Sequence, residues 1–369
     1  MKLENLQKTI MRKPDSILDI QGQKIGLEYP TYFIADIAAN HDGDLGRAKE
    51  LIHMAAEAGA DAAKFQHFQA GTIVSDYGFK NLVGKQSHQS NWKKSVFEVY
   101  KDASVNLDWT EVLKETCNKA GIPFFTTPYS LDVVDFMDSH VPAYKIGSGD
   151  ITWIEMIEEV AQKQKTYIIA SGASTLDEVH RAVSSALNIN PRLCLMQCNT
   201  NYTSNLENFK YIHLNVLKTY RAMYPNLVLG LSDHTSGHST VLGAISLGAR
   251  MIEKHFTDDK NRVGPDHAFS MSPQDWRAMV NSARELEAAL GTGVKIVEEN
   301  EIETVVVQRR SLRAHANMKK GSMITQVDFV PLRPCPKDAI QPHELKSILG
   351  MRLRRDIVEG DYLRVGDIE

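Results

Sequence analysis

The chain has 369 residues, 43% of them hydrophobic, which is too long for one small domain and enough for a large buried core. Its 42 Lys and Arg stand against 46 Asp and Glu, a net charge of −4 that argues against a nucleic-acid surface. No apolar run is long enough to span a membrane, and the charged opening stretch, broken by Pro14, does not read as a secretory signal, so a cytoplasmic protein with neither membrane nor nucleic-acid partner is expected.

In chain order, residues before about Thr31 stand apart from the rest of the chain, and 17–27 reads as a hairpin plugging the bottom of a larger unit. From there, short apolar and β-branched runs recur at 32–39, 62–68, 124–129, 143–147, 167–170, 193–198, 227–231 and 251–256. They do not alternate polar with apolar, as expected of parallel strands buried on both faces. The segments between them have helical periodicity. After Asp44, Leu45, Ala48, Ile52 and Ala55 share one face, and Gly59 supplies a stop. Thr175–Glu178 is a capping box, and Ser272–Pro273 places proline at a first helical position. Eight βα units predict an α/β fold in the form of a closed (β/α)8 TIM barrel.

Near Leu290 the pattern changes. A barrel domain with an N-terminal extension over 1–290 gives way to a linker over 291–308, acidic at Glu298, Glu299 and Glu301, and then to a small β-rich module over 309–369. Within that module the stretch from Gly321 to Asp328 is echoed from Gly360 to Asp367, which suggests two related turn units. Cys117, Cys194, Cys198 and Cys335 lack any CxxC spacing and read as reduced core thiols.

Polar residues interrupt the strands at their C-terminal ends. Asp36, Asn40 and His41 follow the first strand, Lys64 and Gln66 lie on the second, and Thr126 and Thr127 end the third. Lys145 and Ser148 close the fourth, Ser171 the fifth, Asn199 to Tyr202 the sixth, Ser232 to His234 the seventh and His255 the eighth. A barrel gathers those ends around one mouth, where catalytic groups collect. Lys64 and Lys145 call for an anionic partner, a phosphate or carboxylate ligand, or else Asp36 or Asp150 within the protein. Thr127, Ser148, Ser171 and Ser232 could complete an anion cradle. His234 and His255, on adjacent strands, suit one divalent metal with open positions for substrate, although a lone strand histidine is more often a core residue or a general base.

Asp36-Ile-Ala-Ala-Asn-His-Asp-Gly43, Ala60-Asp-Ala-Ala-Lys-Phe-Gln66, Tyr144-Lys-Ile-Gly-Ser-Gly-Asp150, Gly230-Leu-Ser-Asp-His-Thr235, and Ile252-Glu-Lys-His-Phe-Thr257 with Gly264-Pro-Asp-His267 occur in that order. Together they resemble the successive motifs of the sialic acid synthase family, the makers of N-acetylneuraminate, legionaminate and pseudaminate. The tail, with Arg309-Arg-Ser-Leu312 and Leu332-Arg-Pro334, resembles that family's antifreeze-like (SAF) domain.

The resemblance implies a transferase that joins phosphoenolpyruvate to an N-acetylmannosamine-type acetamido sugar, releases phosphate and needs a divalent metal, usually Mn2+. By position, His234 and His255 match metal ligands, and Lys64, Thr127, Lys145, Ser148, Ser171, Tyr202 and Ser232 match the phosphoenolpyruvate cradle, near Gln66. Asp266 matches the carboxylate that holds sugar hydroxyls, and Asp36 and Asp150 match acidic groups near the reacting centre. Arg333 matches an arginine that the SAF domain extends into the partner subunit, which implies a homodimer with exchanged C-terminal domains. Asp36 stands where the family usually has glutamate, Asn199-Thr-Asn-Tyr-Thr203 replaces a run ending Tyr-Pro, and Pro-Cys-Pro-Lys-Asp338 follows Arg333 where a glycine-containing loop is usual. Two other readings compete. One is the condensation of phosphoenolpyruvate with an aldose phosphate to a 3-deoxy-octulosonate or heptulosonate phosphate, and the other is a non-catalytic module that binds ice or polysaccharide.

Overall fold

The computed structural model describes residues 13–83, 89, 92–202 and 205–369. They form two compact units that divide between Gly291 and Thr292. In the first unit, a hairpin of β1 (Leu18–Ile20) and β2 (Gln23–Ile25) precedes eight parallel strands. These are β3 (Tyr32–Asp36), β4 (Ala62–His67), β5 (Phe124–Pro128), β6 (Ala143–Ile146), β7 (Thr166–Ala170), β8 (Leu193–Cys198), β9 (Val228–Asp233) and β10 (Ala249–His255). Each pairs with the next, and β10 pairs with β3, so the sheet closes into the expected barrel with helices outside.

Each strand is buried along nearly its whole length because the interior side chains pack on one face and the helices cover the other. Trp276, fully buried on the helix Pro273–Leu290, meets Phe256 edge-on at 5.6 Å. The helix Leu45–Glu57 begins where Asp44 accepts a hydrogen bond from the Arg47 amide, and it buries Ala48, Leu51, Ile52 and Ala55. Both halves of the Thr175–Glu178 capping box are formed. The first strand stops at Asp36, earlier than its apolar run suggests, because Ala38–His41 winds into a 3-10 turn in which Ala38 has φ of 45°.

The hairpin turns at Gln21 and Gly22, both at positive φ, and buries Leu18, Ile20 and Ile25. Thr166, at the start of β7, donates to the Asp19 carbonyl, and the Asp15 amide donates to Pro191 just before β8. It therefore closes the end of the barrel opposite the mouth. All four cysteines are free and buried. Among the described residues no helix is long and apolar enough to cross a membrane.

The second unit pairs β11 (Ser311–Ala314) with β12 (Phe329–Leu332) antiparallel over its own core, which includes Leu312, Ile324, Leu353, Ile357 and Leu363. Its two turn units match bond for bond. The Gly321 amide donates to Leu353 as the Gly360 amide does to Ala314, and Asp328 caps the Thr325 amide as Asp367 caps Arg364. Met318 and Ile357, at equivalent places, exchange hydrogen bonds. The stretch read as a linker is helical at Ile302–Gln308, and Val306 and Gln308 accept from the Cys335 amide and from Arg333 Nε.

Candidate active site

Barrel register brings the chemistry together. His255 on β10 stands opposite Asp36 on β3, and Asp36 stands opposite Lys64 on β4. Matched positions on parallel neighbours point to the same side, so all three face the interior. Lys64 Nζ lies 2.7 Å from Asp36 Oδ2, and Gln66 Nε2 donates to the same oxygen at 2.9 Å. Burial alone would raise the Asp36 pKa, but the Lys64 charge and the hydrogen bonds from Lys64 and Gln66 outweigh it and hold the carboxyl below its usual range. Lys64 also donates to Thr127 Oγ1 at 3.3 Å.

Lys145 does not wait for an external anion either. Its Nζ donates to Glu253 Oε1 at 2.7 Å, and the Ser232 hydroxyl donates to the same oxygen at 3.3 Å. Both lysines thus have carboxylate partners within the protein, Asp36 as foreseen and Glu253 instead of Asp150. The pairing is incomplete, since Glu253 Oε2 is buried without a hydrogen-bond partner.

His234 Nδ1 lies 3.0 Å from the Asn199 carbonyl. That carbonyl can only accept, so Nδ1 carries the proton and Nε2 keeps a lone pair. His255 Nδ1 is buried with no hydrogen-bond partner, 3.8 Å from Asp266 Oδ2. The two rings lie 5.4 Å apart. Burial lowers the pKa of both, that of His255 to about 3, so both imidazoles are neutral near pH 7. Among the described residues no three His, Cys, Asp or Glu side chains are grouped to hold a metal by themselves.

Asp36, Lys64, Gln66, Thr127 and Lys145 line one small cavity of about 40 Å3. Ser148, Tyr202, Ser232, His234, Glu253 and His255 are also part of its wall. A wider cleft above it carries Asp150 and Asp266 beside Phe68, Trp92 and Tyr100. Burial raises the Asp150 pKa to about 6 and leaves its Oδ2 unpartnered. Burial, aided by the nearby Asp36 charge, raises that of Asp266 to about 7, although Oδ2 accepts from the Ala39 amide at 3.2 Å.

Other expected residues lie elsewhere. Ser171 follows the last residue of β7 and faces the helices, donating to the Met196 carbonyl and accepting from Tyr220. Thr126 also points outward, bonded to His67 and the Phe65 carbonyl. Asn40 ties the first loop to Phe256 and Ser270, and His41 is buried edge-on to Trp109. Asp233 faces away from the cavity toward Lys254. Thr203 lies outside the described residues. Arg333 belongs to the second unit, where it is exposed.

Several residues at or beside the site were not foreseen. Glu253 could have been, because a period of two puts it on the same face as His255. Tyr129 lines both spaces, and the Phe269 ring packs 4.9 Å from that of His255. Tyr129 lies just past the end of β5 and Phe269 in a 3-10 turn, His267–Phe269, whose paths no periodicity announces.

A model of the NeuB family matches residues 51–295, and a model of the SAF domain matches 309–369. The chain belongs to the NeuB family. It is 34% identical to an N,N'-diacetyllegionaminic acid synthase of Legionella pneumophila, over 93% of this chain and 96% of that one. It is 30% identical to a pseudaminic acid synthase of Campylobacter jejuni, over 92% of this chain and 96% of that one. A crystal structure of N-acetylneuraminic acid synthetase from Leptospira borgpetersenii superposes with a TM-score of 0.68 at 27% identity, over 79% of this chain and 96% of that one. NeuB-family relatives of this kind are acid synthases, and the chain is a member of that enzyme family.

Proposed function

We propose that the protein condenses phosphoenolpyruvate with an N-acetylmannosamine-type acetamido sugar and releases phosphate, with a divalent metal, most simply Mn2+, held by His234 and His255. The observation that carries this reading is one cavity lined by two lysines and two neutral histidines, with incompletely satisfied polar atoms between them. Phosphoenolpyruvate presents a phosphate and a carboxylate. Lys64 and Lys145, with Thr127, Ser148 and Ser232, supply charge-assisted and hydroxyl contacts for both. Ser171, turned toward the helices, is no part of that cradle as the protein stands.

The histidines fit the metal. The Nε2 of His234 offers a lone pair on a neutral ring that the Asn199 carbonyl orients from behind, and His255 adds a second neutral ring whose Nδ1 has no hydrogen-bond partner. Two protein ligands leave positions for water and substrate. A bound ion would polarise the open-chain aldehyde of the acceptor. C3 of phosphoenolpyruvate attacks that aldehyde carbon, water adds at C2, and the tetrahedral intermediate expels phosphate.

Asp36, held as a carboxylate by Lys64, would stand beside the reacting centre as a fixed negative charge. Asp150, with a raised pKa and a free oxygen, is suited to move a proton at the cleft. Asp266 would hold acceptor hydroxyls, with Gln66 and Tyr202 at the junction of cavity and cleft. Arg333, exposed on the second unit, would act in the barrel of a partner in a homodimer with exchanged SAF domains. The test is phosphate release and product mass with phosphoenolpyruvate, Mn2+ and, in turn, N-acetylmannosamine, a 2,4-diacetamido-6-deoxy hexose, mannose and an aldose phosphate. A nonulosonic acid from an acetamido sugar is expected. Turnover of the aldose phosphate alone would refute the reading.

A further inference from the structure

The loop that carries Asp266 is clamped to the loop after β3 by buried groups that the proposed reaction does not use. His267, next to Asp266, has no exposed surface, and both its ring nitrogens are engaged. Nε2 lies 2.9 Å from Asp42 Oδ1, and Nδ1 lies 2.8 Å from Thr257 Oγ1. A carboxylate can only accept, so Nε2 carries the proton and Nδ1 is left to accept from the Thr257 hydroxyl. Asp42 gathers two cations as well, Arg262 Nε at 3.0 Å and Arg47 Nε at 3.2 Å. Arg47 in turn forks onto Asp258 at 2.7 and 2.5 Å and donates from Nε to the Asn40 carbonyl. The loop backbone lies directly on the imidazole, since a Cβ at Gly264 would sit 2.6 Å from His267 Cδ2.

A hydroxyl, an imidazole and a carboxylate in line are the parts of a hydrolytic triad. Here the threonine is wholly buried, so no substrate reaches its hydroxyl and the line has no nucleophile to offer. What it can do is fix the loop. The loops it joins follow β10 and β3, the pair that closes the barrel, and both contribute to the cleft. Asp266 accepts only the Ala39 amide, from the β3 loop, so its place beside His255 depends on the two loops keeping their register.

We propose that Asp42, His267 and Thr257 are positioning residues for acceptor binding, holding Asp266 where the sugar hydroxyls are to be met. The inference rests on the role proposed for Asp266 in acceptor binding. Its consequence is selective, because phosphoenolpyruvate sits deeper, on strand residues that the relay does not touch.

The test compares wild type with Asp42→Asn, His267→Gln, Thr257→Val and Thr257→Ser. Steady-state kinetics would use phosphoenolpyruvate, Mn2+ and whichever of N-acetylmannosamine and the 2,4-diacetamido-6-deoxy hexose the wild type turns over better. Phosphoenolpyruvate binding would be measured separately by calorimetry. Asp42→Asn, His267→Gln and Thr257→Val should raise the acceptor KM by about tenfold, the scale of one lost buried hydrogen bond. Thr257→Ser, which keeps the hydroxyl, should stay close to wild type, and phosphoenolpyruvate affinity should change less than about twofold in all four. If His267→Gln fails to fold, Asp42→Asn decides the matter, because that carboxylate is partly exposed. Loss of kcat with both substrates' constants unchanged, or equal weakening of both, would overturn the proposal, as would a Thr257→Ser no better than Thr257→Val. A wild type inactive on every acetamido sugar would overturn the function reading and this one with it, whereas an active wild type with unaltered variants overturns the relay alone.

Discussion

Three consecutive residues of β10 face two different environments. Lys254 points outward, and its ammonium donates to Asp233 at 2.5 Å and to the Thr235 carbonyl at 2.7 Å. Asp233 is equally satisfied, accepting from Thr235 and Thr240 as well. Glu253 and His255 point inward, and each keeps a buried atom with no partner. Burial is the same on both sides of the strand, and each side holds a lysine–carboxylate pair. The difference is completeness. A buried ion pair with no atom left without a partner holds structure, whereas one with orphaned atoms is set up for something that arrives from outside.

The comparison is broken most sharply at the histidines. His234→Ala and His255→Ala should each abolish metal-dependent turnover while thermal melting still shows a folded barrel, because both lie at the catalytic end. Wild-type activity of either variant in metal-stripped buffer would remove the two-histidine site.

On the outward side the effect should fall on stability. Lys254→Met leaves Asp233 as an uncompensated buried charge and should cost about 3–5 kcal/mol in denaturant unfolding. Adding Asp233→Leu should restore much of that loss. Inward, Lys64→Met and Lys145→Met leave Asp36 and Glu253 as unpaired buried carboxylates and so cost stability too. They should in addition raise the phosphoenolpyruvate KM by about tenfold to a hundredfold, the worth of a charge-assisted contact of roughly 1.5–3 kcal/mol. Their effect on the acceptor KM should be much smaller. If Lys254→Met weakened phosphoenolpyruvate and Lys64→Met only stability, the distinction between the two faces would be false.

The smallest expected effect concerns Asp150. Its folded-state pKa of about 6 stands above the ordinary value of 3.8, so ionisation opposes folding. That penalty is absent below about pH 4, grows between the two values and is complete above pH 6. Asp150→Asn should therefore melt higher than wild type at pH 8, with the gap closing as the pH falls toward 4. A gap independent of pH would mean that the side chain's charge is not the cause.

Much of this could be read from the amino-acid order, for a physical reason. Parallel strands buried on both faces appear as unbroken apolar runs, so a polar residue inside one stands out. Lys64, Lys145 and His255 are legible that way. The face of a residue near a strand end is harder to read, since one residue's difference reverses it. Position alone puts Ser171 in the cradle, but β7 ends at Ala170 and Ser171 turns to the helices. Glu253 is easily passed over although it alternates with His255. That Lys145 pairs with Glu253 is not legible, because that contact crosses the barrel interior between strands far apart in the chain, whereas Lys64 and Asp36 face each other on neighbouring strands. The relay through His267 depends on a loop, where no period operates.

The central claim is that the inward groups of β9, β10, β4 and β6 form one metal and phosphoenolpyruvate site. Crystals grown with Mn2+ and phosphoenolpyruvate, with diffraction recorded at the manganese absorption edge, test it most directly. The account predicts one anomalous peak within bonding distance of both His234 and His255, with the phosphoenolpyruvate phosphate and carboxylate between Lys64 and Lys145 in the same cavity. A peak bound to neither histidine, or a ligand that leaves both lysines on Asp36 and Glu253 without touching them, would contradict it.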